Sequence, residues 1–156
     1  MLDPNYIVGF VEGEGCFLVC LRKDYRIELR FFIAQAIGNK PLLEKVQRTF
    51  KVGSVYQKSN RVGRLPAYVF EVAKRDDIYN VVIPFFLKHK LYGYKAESFK
   101  AFLKIATIVK GRQDIRKLSK KELIYVRRTR FSMNKHYGSP DARKSLVGWE
   151  RTKTSK

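Results

Sequence analysis

The sequence predicts an α+β domain of order α-β-β-α-β-β-α, with extra helices behind it. Three observations carry that expectation. Short runs alternate apolar and polar residues at period two, the segments between them repeat apolar residues at helical spacing, and the strand-like runs come in pairs around one helix. The chain has 156 residues, 45% hydrophobic and 13% aromatic, which suits one packed domain and argues against disorder. We expect a single domain over residues 1–137, its core spanning about 1–110 and a helical extension following. A basic, loosely ordered tail is expected over 138–156.

Asp3-Pro4 marks the first helix start, Asp3 capping free N–H groups and Pro4 taking the first helical position. Cys16 to Arg22 reads as a strand, Lys23-Asp24 as a turn and Tyr25 to Ala36 as a second strand. In the latter, Ile27, Leu29, Phe31 and Ile33 alternate with Arg26, Glu28, Arg30 and Phe32, so one face is core and the other carries charge. The matching outward set on the first strand is Cys16, Leu18, Cys20 and Arg22, apolar enough to suggest partial cover. Gly38-Asn39-Lys40-Pro41 opens a helix running through Phe50. Val52 to Lys58 and Ala67 to Ala73 form the next strand pair, joined by a basic loop punctuated by Gly63 and Pro66. Arg75 to Ile83 reads as helix broken by Pro84, and Glu97 to Val109 as an amphipathic helix. Ser119 and Glu122 form a capping box for a last helix ending near Lys135.

The formal charge is +19 and unevenly spread: residues 1–21 carry −3 and the remainder +22. An acidic, apolar segment in a basic body suits a metal site set in a phosphate-binding surface. On charge alone, a ribosomal-type scaffold explains the composition equally well. Cys16 and Cys20, on one strand face, are expected to be free thiols in a reducing, intracellular setting. No apolar run is long enough to span a membrane, so no membrane partner is expected. Two histidines, His89 and His136, are too few for a histidine-based nuclease module, and no Walker-type glycine loop is present.

The organising stretch is Ile7-Val8-Gly9-Phe10-Val11-Glu12-Gly13-Glu14-Gly15. Tyr6 to Val11 is apolar on nearly every side, so the helix needs cover from its own domain and from something else. Gly9 and Gly13 share a face and let a second backbone approach. Glu14 falls at the helix C-terminus beside exposed carbonyls, a poor place for an anion unless a cation binds there. Glu12 reads as structural rather than metal-binding.

This stretch resembles the LAGLIDADG motif of homing endonucleases, and the element order resembles one such domain over roughly the first 110 residues. Both acidic positions are Glu where Asp is usual, which shifts the metal by a methylene. The resemblance implies an antiparallel DNA-binding sheet and a site-specific, Mg²⁺-dependent double-strand endonuclease, intron-encoded in type and acting on a long pseudo-palindromic site. With one motif per chain, it implies a homodimer paired through Ile7, Gly9, Phe10 and Gly13. Glu14 and the Gly13 carbonyl match the metal ligands, Gln35 the polar residue that organises water, and Lys90 the basic residue of the pocket. Lys40 is a weaker second candidate for that basic role. Double-stranded DNA would meet Arg22, Arg26, Glu28, Arg30, Tyr56 and Lys58 on the outward sheet face, with Arg61 and Arg64 on the loop. The alternative is an RNA-binding intron maturase, or a DNA-binding protein of the same fold that does not cut. Under each reading the protein is expected to be intracellular, in the cytoplasm or an organelle depending on the host.

Overall fold

The computed structural model describes residues 1–58 and 66–133; Arg61, Arg64, the expected helix end near Lys135 and the tail over 138–156 lie outside the described residues. The first helix, α1 (Pro4–Glu14), starts as expected: Asp3 accepts from the Asn5 N–H at 2.7 Å and Pro4 occupies the first turn. It ends at Gly15, whose N–H bonds back to the Val11 carbonyl while the chain turns directly into β1 (Gly15–Leu21). A Cβ at Gly15 would lie 2.5 Å from the Val11 side chain, so this abrupt helix-to-strand junction requires glycine.

Strands β1, β2 (Ile27–Ala36), β3 (Ser54–Lys58) and β4 (Ala67–Val72) form one antiparallel sheet of order β1-β2-β4-β3. The second strand begins later than the alternation suggests. Tyr25 takes a left-handed φ of 68° in the turn, and Arg26 bridges to Asp114 instead of joining the ladder. Helix α2 (Lys40–Phe50) crosses from β2 to β3 and buries Leu43, Val46 and Phe50. It closes on Lys51, also left-handed, and on Gly53 at φ 80°, where a Cβ would sit 2.6 Å from the Glu71 carbonyl.

Pro84 does not stop the helix. Short helix α3 (Arg75–Asp77) runs through a wider π turn at Ile78–Val82 into α4 (Ile83–Lys88). Proline lacks an N–H and its ring collides with the carbonyl four residues back in a regular α-helix. The wider turn immediately before Pro84 makes room for it. Helix α5 (Tyr94–Val109) starts one turn earlier than expected, and α6 (Lys120–Met133) follows a short 3-10 turn at Ile115–Lys117. The capping box forms as read: Glu122 N–H donates to Ser119 Oγ at 3.2 Å and Ser119 N–H to Glu122 Oε2 at 2.8 Å.

The core lies between the inner sheet face and the helices. Phe17 packs at ring-centroid distances of 5.2 Å from Phe31, 5.3 Å from Phe86, 5.2 Å from Phe99 and 5.4 Å from Phe102. Each aromatic pair adds about 0.5–1.5 kcal/mol beyond its area burial. These residues draw β1, β2, α4 and α5 into one cluster, and α6 joins it through Val126 and Met133. Among the described residues no helix is long and apolar enough to cross a membrane.

Candidate active site and nucleic-acid interface

Helix α1 has two unlike sides. Ile7 and Val11 are both 0% exposed and face the chain's own core. Ile7 is therefore corrected as an interface residue: it is committed to the sheet and helices beneath it. The other side carries Tyr6, Gly9, Phe10 and Gly13; Tyr6 is 48% exposed with its ring 6.2 Å from that of Phe10, and Phe10 is partly packed against the core. A Cβ at Gly9 or Gly13 would meet nothing within 4 Å, so there is room for a closer approach at both glycines.

The two acids near the end of α1 differ. Glu12 is half-buried, and its Oε1 accepts from the backbone N–H groups of Tyr92 and of Gly93, the latter at 3.1 Å. A Cβ at Gly93 would stand 3.0 Å from Glu12 Oε2, so glycine permits this close approach. The structural reading of Glu12 is thus borne out. Glu14 is exposed and has no hydrogen-bond or ion-pair partner among the described residues. It stands with the exposed Gly13 at the end where the last helix carbonyls gather. A hard divalent cation suits that oxygen-rich pair. Among the described residues no group of three or more His, Cys, Asp or Glu could hold a metal.

Gln35 lies on the inward parity of β2, as read. Gly15 pairs with Ile33, which places Gln35 about 7 Å further along β2 at the Glu14 end of the sheet. Its Oε1 accepts from Asn39 Nδ2 at 2.8 Å, which orients the amide. Lys90 is exposed in a cleft of about 460 Å³ against α1, lined also by Asn5, Val8, Gly9, Glu12 and His89. Neither Glu14 nor Gln35 lines that cleft. Lys40 pairs with Glu44 at 3.4 Å and lies over the Tyr68 ring. The sequence reading missed Lys95, which is 4% exposed at the start of α5. It is near enough to Cys16 to pull that thiol's pKa down, although burial dominates and pushes it up. The signal was present: Lys95 shares the apolar helical face of Phe99 and Phe102.

On the outward sheet face an ion-pair network links all four strands or their ends. Arg22 Nε stands 3.5 Å from Glu28 Oε1, and Arg30 donates to Glu28 Oε2 at 2.8 Å and to Glu71 Oε1 at 3.1 Å. The Tyr56 hydroxyl donates to Glu71 Oε2 at 2.8 Å. Burial weakens the Arg30 charge, but Glu28 and Glu71 outweigh it and hold its pKa above normal. Burial first, then the bond to Glu71, raises the Tyr56 hydroxyl. Glu71, at the hub, was not foreseen. Lys58 is exposed at the end of β3, whereas Arg26 sits off the strand and pairs with Asp24 at 2.7 Å.

The model of the LAGLIDADG endonuclease family matches residues 7–106. Probable intron-encoded endonuclease 3 of Neurospora crassa is 31% identical over 119 residues, 73% of this chain and 22% of that protein. Probable intron-encoded DNA endonuclease 1 of Mycosarcoma maydis is 28% identical over 97 residues, 62% of this chain and 34% of its own length. The chain thus spans well under half the length of these curated relatives. The crystal structure of the homing endonuclease I-TnaI shares 27% identity at TM-score 0.74, over 94% of this chain and 97% of that one. I-GzeII, a LAGLIDADG homing endonuclease solved with its DNA target, shares 27% identity at TM-score 0.75, over 87% of this chain and 45% of that one. The match from Ile7 to Ala106 takes in most of α1, the whole sheet and most of α5, and on it the chain belongs to the LAGLIDADG endonuclease family.

Proposed function

We propose that this chain is a site-specific DNA endonuclease that works as a homodimer and makes a metal-dependent double-strand break in a long, nearly palindromic site. The observation that carries it is the glycine-bearing side of α1 ending in a Glu14 with no partner among the described residues. Burying a large side chain such as Phe10 or Tyr6 against a second copy is worth roughly 1.5–3 kcal/mol each, and Gly9 and Gly13 permit close helix packing. Two-fold pairing on this side would bring the two Glu14 carboxylates together at the paired helix ends. Like charges that close require cations between them, and Mg²⁺ is the ion we assign.

Bound there, the divalent ion would stabilise the charge that develops on the phosphate and lower the pKa of attacking water. This chain's own residues supply the remainder. Glu14 and the Gly13 carbonyl hold the ion, and Gln35 orients water through an amide already fixed by Asn39. Lys95 beside Cys16 provides positive charge near the start of β1, and Lys90 adds it in the cleft along α1. The sheet face from Arg22 to Lys58 lies in the major groove, and lysines elsewhere contact phosphates. The names of the relatives support an intron as the encoding context. The test is incubation with a randomised duplex library and Mg²⁺. One cleaved sequence class, with cuts on both strands, is expected; random nicking, no cleavage, or selective binding of RNA over duplex DNA would overturn the reading.

A further inference from the structure

The chain carries +19 overall, yet one patch of its outward sheet face is internally neutralised. Arg22 and Arg30 are matched there by Glu28 and Glu71. By register Glu71 faces Phe32 on one side and Ser54 on the other, neither of them a cation. It reaches diagonally instead, to Arg30 on β2 and to Tyr56 on β3. Exposed ion pairs add little to stability. Two carboxylates on a surface that meets a polyanion lower its affinity. Neither stability nor affinity therefore accounts for them, which leaves what they do to Arg30.

Glu28 Oε2 accepts from Arg30 Nε at 3.2 Å and from Nη2 at 2.8 Å, and Glu71 Oε1 accepts from Nη1 at 3.1 Å. A guanidinium has five N–H donors. These bonds leave one donor on Nη1 and one on Nη2, uncommitted among the described residues. The Tyr56 hydroxyl donates to the other Glu71 oxygen at 2.8 Å and fixes the carboxylate in turn. The Arg30 side chain is 30% exposed against 15% for Glu71, so a duplex seated on the sheet meets the guanidinium first. We propose that Glu71 is a positioning residue for base recognition, clamping Arg30 from β4 so that its two remaining N–H groups meet O6 and N7 of one guanine in each half-site. This rests on the endonuclease reading and deepens it. Guanine presents two acceptors on its major-groove edge, whereas adenine presents one acceptor and one donor. A long side chain already held on two sides loses little freedom on binding, so the clamp turns a flexible charge into a directional contact. The same carboxylates repel phosphates, so a duplex lacking the guanine gains less here than it would from an unpaired arginine.

The test selects duplexes from a randomised library by binding to the full chain, as wild type, Arg30→Ala and Glu71→Gln. Wild type should require guanine at one position per half-site, and Arg30→Ala should lose that requirement and no other. Glu71→Gln keeps the shape and removes the charge. It should weaken the guanine preference at that position at least about fivefold, leave the other positions unchanged, and bind random duplex about fivefold more tightly at low salt. In the wild-type chain, 7-deazaguanine at the assigned position removes only N7 and should cost about tenfold, a loss that Arg30→Ala does not show. A purely structural Glu71 predicts instead that all positions weaken together and that random duplex gains nothing. That pattern overturns the proposal, as does a wild-type class with no Arg30-dependent guanine, an indifferent 7-deazaguanine, or an unchanged preference in Glu71→Gln; each leaves the endonuclease reading intact. If wild type selects and cuts no sequence class, the endonuclease reading falls, and this inference with it.

Discussion

Glu12 and Glu14 stand two residues apart on one helix and have opposite fates. Glu12 turns inward and is engaged by two backbone N–H groups of the segment entering α5. Glu14, at the last position before Gly15, is exposed and has no partner among the described residues. At about 100° per residue, a two-residue step carries a side chain to nearly the opposite side of a helix. The residue type is the same; the place on the helix decides whether the carboxylate is taken up by backbone donors or stays exposed.

The largest expected effect separates them directly. Glu14→Gln should lower cleavage at least about a thousandfold, because it removes the charge proposed to ligate the metal, while duplex affinity in the absence of metal stays near wild type. Retained metal-dependent cutting in that variant would show that Glu14 is misassigned. The second effect tests the level of organisation. Glu12 acts within one chain, whereas Glu14 is proposed to act across two. Gly9→Leu fills space that a Cβ does not clash with inside the chain, so the helix and strand content should stay as in wild type while dimerisation and cutting are abolished together and the thermal midpoint loses its dependence on protein concentration. Sedimentation at low micromolar concentration reads the outcome; a wild-type monomer, still monomeric on its DNA, sinks the paired site. A smaller effect belongs to Glu12. Its Ala variant strands two backbone donors in a partly wet site, which costs about 1 kcal/mol by chemical denaturation. Metal affinity at Glu14 should barely change.

Much of this contrast was legible beforehand. The period-two alternation of β2 gave the correct faces, the helix start at Asp3-Pro4 and the capping box at Ser119 formed as read, and Glu12 was assigned a structural role. What escaped has physical reasons. A helix apolar on nearly all sides has no directional signal, so Ile7 and Val11 could not be distinguished from Phe10 and Tyr6 until the sheet beneath them was known. Pro84 was read as a terminator because a local rule cannot see the π turn that accommodates it. Glu71 was lost inside an apolar strand pair, since its importance comes from Arg30 and Tyr56 on two other strands. Lys95 was hidden by starting α5 one turn late.

A third carboxylate, Glu122, extends the comparison to its weakest case, one that is wholly structural and lies far from α1. Arg112 holds it by hydrogen bonds at 2.8 and 3.2 Å, and Ser119 completes the capping box, so its pKa falls to about 2. A depressed carboxylate stabilises the fold above its unfolded pKa, near 4.5, and that contribution is lost as pH falls toward 2. Because the pair is solvent-exposed and screened, the effect should be small and should shrink with added salt. The measurement is the difference in denaturation midpoint between wild type and Glu122→Gln across acid pH. That difference should be constant from pH 7 to about 5, narrow between 4.5 and 2, and be smaller at 1 M salt. Glu12, whose partners are uncharged N–H groups, should show little salt dependence in the matching Glu12→Gln comparison. Equal salt sensitivity in the two variants would mean that Glu12 is held by charge rather than by the Tyr92-Gly93 backbone.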